Sequence, residues 1–176
     1  VEKYLFDNVF NGVDDYKNKF VVISPDEGAL KRVQEYASIL RLPHLILSKQ
    51  RDYTVPNVVE KVVLIGEKKY LIGKTAIIID DMCDTCGTVQ KVSELIVQEG
   101  AKDIIVIVSH GILSGPAIER LNSAQYIKSF ICSDSIPQTV NLKNCDKLKV
   151  FSISPLLADV VKNLIEGKSV SALFSS

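Results

Sequence analysis

The sequence has no surplus of either charge: 21 Lys and Arg balance 21 Asp and Glu, for a formal net charge of zero. A chain without a basic excess has no electrostatic footprint for nucleic acid or for an anionic membrane. It has no long hydrophobic run either. The longest apolar runs, such as residues 104–108, are far too short to cross a bilayer. The first residues carry charge at Glu2 and Lys3 and show no signal-peptide pattern. There is no internal repeat and no low-complexity segment. The cysteines number four: Cys83, Cys86, Cys132 and Cys145. Cys83-Asp84-Thr85-Cys86 is formally a C-x-x-C, but no second close pair accompanies it, which argues against a structural zinc site. A redox pair remains open. Reduced thiols in a cytosolic protein are the reading favoured here.

What the chain does have is a soluble globular composition, 47% hydrophobic and 24% charged over 176 residues. That length suffices for one domain with a full core. The run Phe20-Val21-Val22-Ile23-Ser24 reads as a buried strand ending at Pro25. Leu30, Val33, Ala37 and Leu40 recur at helical spacing, which predicts a helix over 28–41. Residues 45–48 form the next short strand, and the polar segment 49–60, with Pro56, reads as a loop. Strands are predicted at 62–65 and 75–79, joined by a charged connector and read as a hairpin. A helix follows over 88–99, with Val89, Val92, Leu95 and Ile96 on one face and Gly100 as its stop. Residues 104–108 form a fully buried strand, 115–122 a helix, 126–132 and 148–153 further strands. A last helix over about 155–165 has Pro155 in its first turn. Alternating strands and helices give an α/β fold: a mostly parallel sheet with helices on both faces. Ligands of such sheets bind at the carboxyl ends of the strands. Asp26, Lys49, Asp80, Asp81 and His110 all follow apolar strands and would share that rim.

The stretch 77–88, Ile-Ile-Ile-Asp-Asp-Met-Cys-Asp-Thr-Cys-Gly-Thr, concentrates the chemistry. A buried strand runs into two adjacent carboxylates, Asp80 and Asp81. Side chains alternate along a strand, so the two acids can have separate duties. Adjacent acids suit vicinal sugar hydroxyls, and Mg²⁺ prefers hard oxygen ligands. Asp84, Thr85, Cys86, Gly87 and Thr88 then supply successive backbone N–H groups, hydroxyls and the start of a helix, a cradle for phosphate. A double Asp alone is as often a solvated turn; joined to this loop it points to a metal-bound sugar phosphate. Lys49 and Arg51 could form a cationic lid over a charged transition state, although spacing alone favours a solvated surface pair. Asp26 could hold a metal or cap the following helix, and spacing alone favours the cap. His110 at a strand end is more often structural than catalytic. No Ser-His-Asp grouping for nucleophilic catalysis is present.

The chain resembles ribose-phosphate pyrophosphokinases (PRPP synthetases) over nearly its whole length. The segments that carry the resemblance are 24–28 with Lys31 and Arg32, 49–51, 80–88, 109–117, Ile136-Pro137 and 169–174. The 80–88 string is highly specific to that family, whose fold is shared with the type I phosphoribosyltransferases. The resemblance implies transfer of the β,γ-diphosphoryl group of ATP to the C1 hydroxyl of ribose 5-phosphate, giving PRPP and AMP, for nucleotide biosynthesis in the cytoplasm. Residues 84–88 would hold the 5-phosphate. Asp80 and Asp81 would face the ribose hydroxyls and the metal, and Asp26 would join a Mg²⁺ site. Lys49 and Arg51 would come from the catalytic flexible loop. Ser169, Val170, Ser171 and Phe174 would belong to the tail that shapes a regulatory phosphate or ADP site between subunits, in a family that assembles from dimers to hexamers.

The family's enzymes have two similar α/β domains. Residues 1–176 resemble the carboxyl-terminal one alone, the ribose-5-phosphate-binding domain, so the amino-terminal domain is expected to be absent and the isolated domain poorly active. Two further departures stand out. Ala29 follows Gly28 where the family has a second glycine, and the span from Arg51 to Asp80 is longer than usual. Two alternatives belong beside this reading. One is a type I phosphoribosyltransferase, against which the 49–51 segment and the 169–174 tail argue. The other is a non-catalytic PRPP synthetase-associated subunit, against which the intact 84–88 loop argues.

Overall fold

A computed structural model describes the backbone of residues 1–51 and 60–174, with side chains described for 1–48 and 62–173. Its centre is a seven-stranded sheet: β1 (Phe20–Ser24), β2 (His44–Arg51), β3 (Glu60–Ile65), β4 (Thr75–Cys83), β5 (Asp103–Gly111), β6 (Ile127–Ser133) and β7 (Leu148–Phe151). The spatial order is β3-β2-β1-β4-β5-β6-β7. All neighbours are parallel except β2 and β3, which pair antiparallel at one edge. The helices are α1 (Glu2–Asn8), α2 (Leu30–Leu40), α3 (Gly87–Gln98), α4 (Ala117–Ser123), α5 (Asn141–Asn144) and α6 (Ser154–Ile165).

The β-branched runs explain why the central strands are buried on both sides. Successive side chains point to opposite faces. Thus Ala76 and Ile78 of β4 enter one core, while Ile77 and Ile79 enter the other. In β5, Ile104, Val106 and Val108 join the first core, and Ile105 and Ile107 the second. Helix α3 covers the first face through Val89, Val92 and Ile96; α2 covers the second through Val33, Ala37 and Leu40. The sheet covered on both faces is the architecture that the alternating pattern predicts. Among the described residues no helix is long and apolar enough to cross a membrane.

Three sequence expectations are corrected. The strand 62–65 does not form a hairpin with 75–79. It pairs with β2, from Ile46↔Ile65 to Arg51↔Glu60. The connector instead sinks Leu71, fully buried, into the core and carries the chain from the edge to the sheet centre, where Thr75 N–H donates to the Lys19 carbonyl at 2.9 Å. The expected loop 49–60 is shorter at both ends. Lys49, Gln50 and Arg51 continue β2, because β3 supplies ladder partners that outweigh their polarity; residues 52–59 lie outside the described residues. Strand β4 also runs past Ile79 to Cys83, paired with β5 as far as Cys83↔Gly111. Helices α1 and α5 are short elements that the hydrophobic pattern did not announce.

Strand order reverses between β1 and β4. From β1 the chain winds outward to β2, and from β4 it winds the other way to β5, β6 and β7. The loops leaving two such strands diverge to opposite faces and leave a crevice at their carboxyl ends.

Candidate functional site

That crevice is a cavity of about 590 Å³. It is lined from the β1 side by Pro25, Asp26 and Gly28, from α2 by Arg32, and from the β4 side by residues 80–89. Topology therefore gathers Asp26, Asp80, Asp81, Asp84, Thr85, Cys86, Gly87 and Thr88, all expected from sequence, around one space.

Among the described residues, its acidic wall has one cation, Arg32. The Arg32 guanidinium lies 3.3 Å from Asp80 Oδ1 and 3.4 Å from Asp81 Oδ2. The two carboxylates differ as expected from alternation. Asp80 is more enclosed, and burial, with Asp81 and Asp26 nearby, pushes its carboxyl above the ordinary range despite the N–H donated by Asp81 at 2.9 Å. Asp81 faces outward. Slight burial acts to raise it, but the Met82 N–H at 2.8 Å, Arg32 and the bond with Asp80 hold it below the ordinary range. Asp26 accepts the Ala29 N–H at 2.9 Å and so organises the turn before α2, although the N-cap residue of that helix is Ala29 and no side chain caps it. Its charge still reaches Asp80. No group of three or more His, Cys, Asp or Glu able to hold a metal ion occurs among the described residues. The donor set nonetheless suits Mg²⁺, which keeps several waters and takes one or two carboxylates with substrate oxygens completing its shell.

Next to the acidic wall, along the same segment, is an anion cradle. Cys86, with φ of 59°, turns the chain into α3 and leaves the helix start without a side-chain cap. The first N–H groups of the helix lack intrahelical partners and point toward the positive end of its dipole. Ser114, between β5 and α4, and Arg120 of α4 hold this loop. Ser114 Oγ donates to Asp84 Oδ1, and its N–H donates to the Asp84 carbonyl at 3.1 Å. Arg120 of α4 donates from Nη1 to the Thr85 carbonyl at 2.7 Å. Helix α4 is itself tied down at its far end: Lys147 Nζ donates to the carbonyls of Leu121 at 2.7 Å and Ala124 at 2.8 Å. Gly87 lets this arm come close: an added Cβ would sit 3.3 Å from Arg120 Nη1, and the guanidinium would have to shift by a few tenths of an ångström. Below the loop, the Cys83 and Cys86 sulfurs are 3.0 Å apart. The bond from Cys86 lowers the Cys83 thiol, against its burial, and that same bond together with burial raises Cys86.

Arg32, Ser114 and Arg120 were not singled out as site residues by sequence reasoning. Their partners lie 48, 30 and 35 positions away, so no local spacing marks them. Lys49 and Arg51 lie on the backbone of β2 beyond its pairing with β1, at the carboxyl end that faces the same rim; their side chains are outside the described residues. His110 is held by Ser135, with Nδ1 and Oγ at 2.8 Å, consistent with a structural role. The tail is elsewhere. Ser169 accepts a bond from Asn163 of α6 at 3.0 Å, and residues 171–174 form a short 3₁₀ turn; Ser169, Val170 and Ser171 are not among the residues that line the cavity.

Residues 48–175 match the family described as the Phosphoribosyl synthetase-associated domain. Across all 176 residues the chain is 38% identical to ribose-phosphate pyrophosphokinase 3 of Saccharomyces cerevisiae, spanning 51% of it. Phosphoribosylpyrophosphate synthetase from Mycobacterium smegmatis superposes with a TM-score of 0.78 at 32% identity, over 94% of this chain and 51% of that one. An adenine phosphoribosyltransferase from Giardia lamblia aligns at a TM-score of 0.47 and 14% identity, over 86% and 78%. The chain thus spans about half the length of the synthetases it matches.

Proposed function

Since the chain belongs to the PRPP synthetase family, with the type I phosphoribosyltransferase fold, we propose that it is the ribose-5-phosphate-binding, carboxyl-terminal domain of a ribose-phosphate pyrophosphokinase. The reaction of such an enzyme passes the β,γ-diphosphoryl group of ATP to the C1 hydroxyl of ribose 5-phosphate, giving PRPP and AMP. The observation that carries the reading is the crevice itself, which an uncapped helix start and a carboxylate pair line together. The first matches the phosphate of a sugar phosphate and the second its hydroxyls.

In this reading the N–H groups and hydroxyls of 84–88 bind the 5-phosphate, and Ser114 and Arg120 keep the loop in shape to receive it. Asp81, ionised and outward-facing, accepts hydrogen bonds from ribose hydroxyls. Asp80 and Asp26 would hold Mg²⁺ together with substrate oxygens. When bound, the ion would neutralise charge on the transferring group. Arg32 keeps the acidic wall from repelling an anionic substrate. Lys49 and Arg51 add positive charge from the end of β2, where phosphoryl transfer depends on positioning and charge neutralisation. No nucleophile from the protein is needed, because the sugar hydroxyl attacks. Ser169, Val170, Ser171 and Phe174 would belong to a regulatory segment, and self-association is the setting in which they would act. Cytoplasmic location accords with four free cysteines.

Binding, not turnover, is the readout suited to a chain half the length of its relatives. Titration calorimetry with ribose 5-phosphate, ATP and Mg²⁺ tests the proposal. Ribose 5-phosphate is expected to bind, with ATP binding weakly or not at all. Tight binding of PRPP together with a free nucleobase would overturn it in favour of a phosphoribosyltransferase.

A further inference from the structure

The Cys83-x-x-Cys86 pair has no part in holding a sugar phosphate through its sulfurs, yet it sits inside the loop that does. Both thiols are free and buried, and both residues line the crevice. Their sulfurs are already 3.0 Å apart. An S–S bond is about 2 Å long, so closure asks for a movement of about 1 Å within a four-residue turn. The two residues enclosed by that turn are Asp84 and Thr85, the ones fixed by Ser114 and Arg120. Cys86 also sets the left-handed turn, φ 59°, from which the helix N–H groups are presented.

We propose that Cys83 and Cys86 are an oxidisable dithiol, a covalent modification site for peroxide-class oxidants that switches the phosphate loop off when the disulfide closes. The effect on ligand binding rests on the functional reading above; the disulfide itself does not. The chemistry balances with one peroxide. The Cys83 sulfur attacks a peroxide oxygen, the O–O bond breaks, and water leaves with a sulfenic acid on Cys83. The Cys86 sulfur then attacks Cys83, the S–S bond forms and the S–O bond breaks. The departing oxygen takes the Cys86 proton and leaves as a second water. Two electrons pass from the sulfurs to the peroxide. The crevice gives a small oxidant its path to otherwise buried sulfurs. Closing the ring pulls the 84–85 backbone away from its Ser114 and Arg120 anchors and turns the cradle off its ligand. A thiol reductant restores it.

The test uses the whole chain, reduced and then treated with hydrogen peroxide. Intact mass is expected to show loss of two hydrogens, and peptide mapping to place the bond between Cys83 and Cys86. Ribose 5-phosphate affinity is expected to fall at least about tenfold on oxidation and to return with dithiothreitol. In Cys83→Ser the oxidised-to-reduced affinity ratio becomes one, while Cys145→Ser keeps the full response. Absence of that disulfide, equal affinity in the two states, or a Cys83→Ser variant that still responds would each overturn the proposal. If the disulfide forms but the reduced chain binds no ribose 5-phosphate, the functional reading falls and the modification site stands.

Discussion

Replacing Arg120 by methionine removes the guanidinium that holds the Thr85 carbonyl at 2.7 Å while keeping much of the aliphatic stem. A charged donor on a carbonyl contributes about 1.5–3 kcal/mol when well shielded. Thr85 is exposed, so water takes over the carbonyl and the stability cost is smaller, about 0.5–1 kcal/mol. For a domain of this size that lowers Tm by about 1–4 °C. Binding suffers more, because the loop arrives unordered. Fixing one residue costs about 1–2 kcal/mol, and paid at the moment of binding this is about a 5- to 30-fold loss of ribose 5-phosphate affinity. Calorimetry with ribose 5-phosphate and a thermal melt measure the two quantities side by side. Arg120→Lys keeps one charge but not the planar fork, and falls between the two. Affinity within twofold of the parent chain would refute the anchoring role. So would a Tm drop large enough to account for the whole loss of binding.

Further predictions concern charge and packing. Burial keeps the Asp80 carboxyl above the ordinary range, so holding it ionised costs stability at neutral pH. Asp80→Asn should melt higher than the parent chain at pH 7 and bind Mg²⁺-dependent ligands worse. The gain in Tm should shrink as pH falls through the raised value, because the parent carboxyl then takes up its proton. Asp134 behaves oppositely: the Ile153 N–H, at 2.9 Å, and Ser152 lower its carboxyl at the start of α6. Its contribution is present above the ordinary value of 3.8 and lost as pH falls through the lowered one, so Asp134→Asn should differ from the parent in thermal melts at neutral pH and converge with it in acid. Ser93 is fully buried in α3, and its hydroxyl has no hydrogen-bond partner among the described residues. Ser93→Ala is expected to stabilise by about 1 kcal/mol, read as a rise of about 2–4 °C in Tm.

The fold was legible where burial is continuous. Runs such as 20–24, 76–79 and 104–108 announce parallel strands, and the positions of Val33, Ala37, Leu40, Val89, Val92 and Ile96 announce the two covering helices. The loop 84–88 was legible too, because hydroxyls, Gly87 and a helix start lie adjacent in sequence. Pairing at the edge was not. Residues 49–51 look like loop until β3 is known to lie beside them, since an edge strand draws its ladder from a neighbour and not from its own apolarity. The clamps on the loop were hidden for the same reason. Arg32, Ser114 and Arg120 are ordinary polar residues of local segments and acquire roles only when the switch point between β1 and β4 folds distant segments together. Helix α6 shows the reverse case. The helix over 155–165 is present, but its apolar residues Leu157, Val161, Leu164 and Ile165 stay exposed, for an apolar face in sequence does not say what covers it.

The central claim is that residues 84–88 cradle the phosphate of ribose 5-phosphate. An amide-resolved NMR titration of the isotopically labelled chain with ribose 5-phosphate tests it most directly. The account predicts saturable shifts concentrated on the amides of residues 84–88 and on Asp81, with the amides of 169–173 hardly moved. Shifts that spare residues 84–88 while saturating elsewhere, or no saturable shift at all, would contradict it.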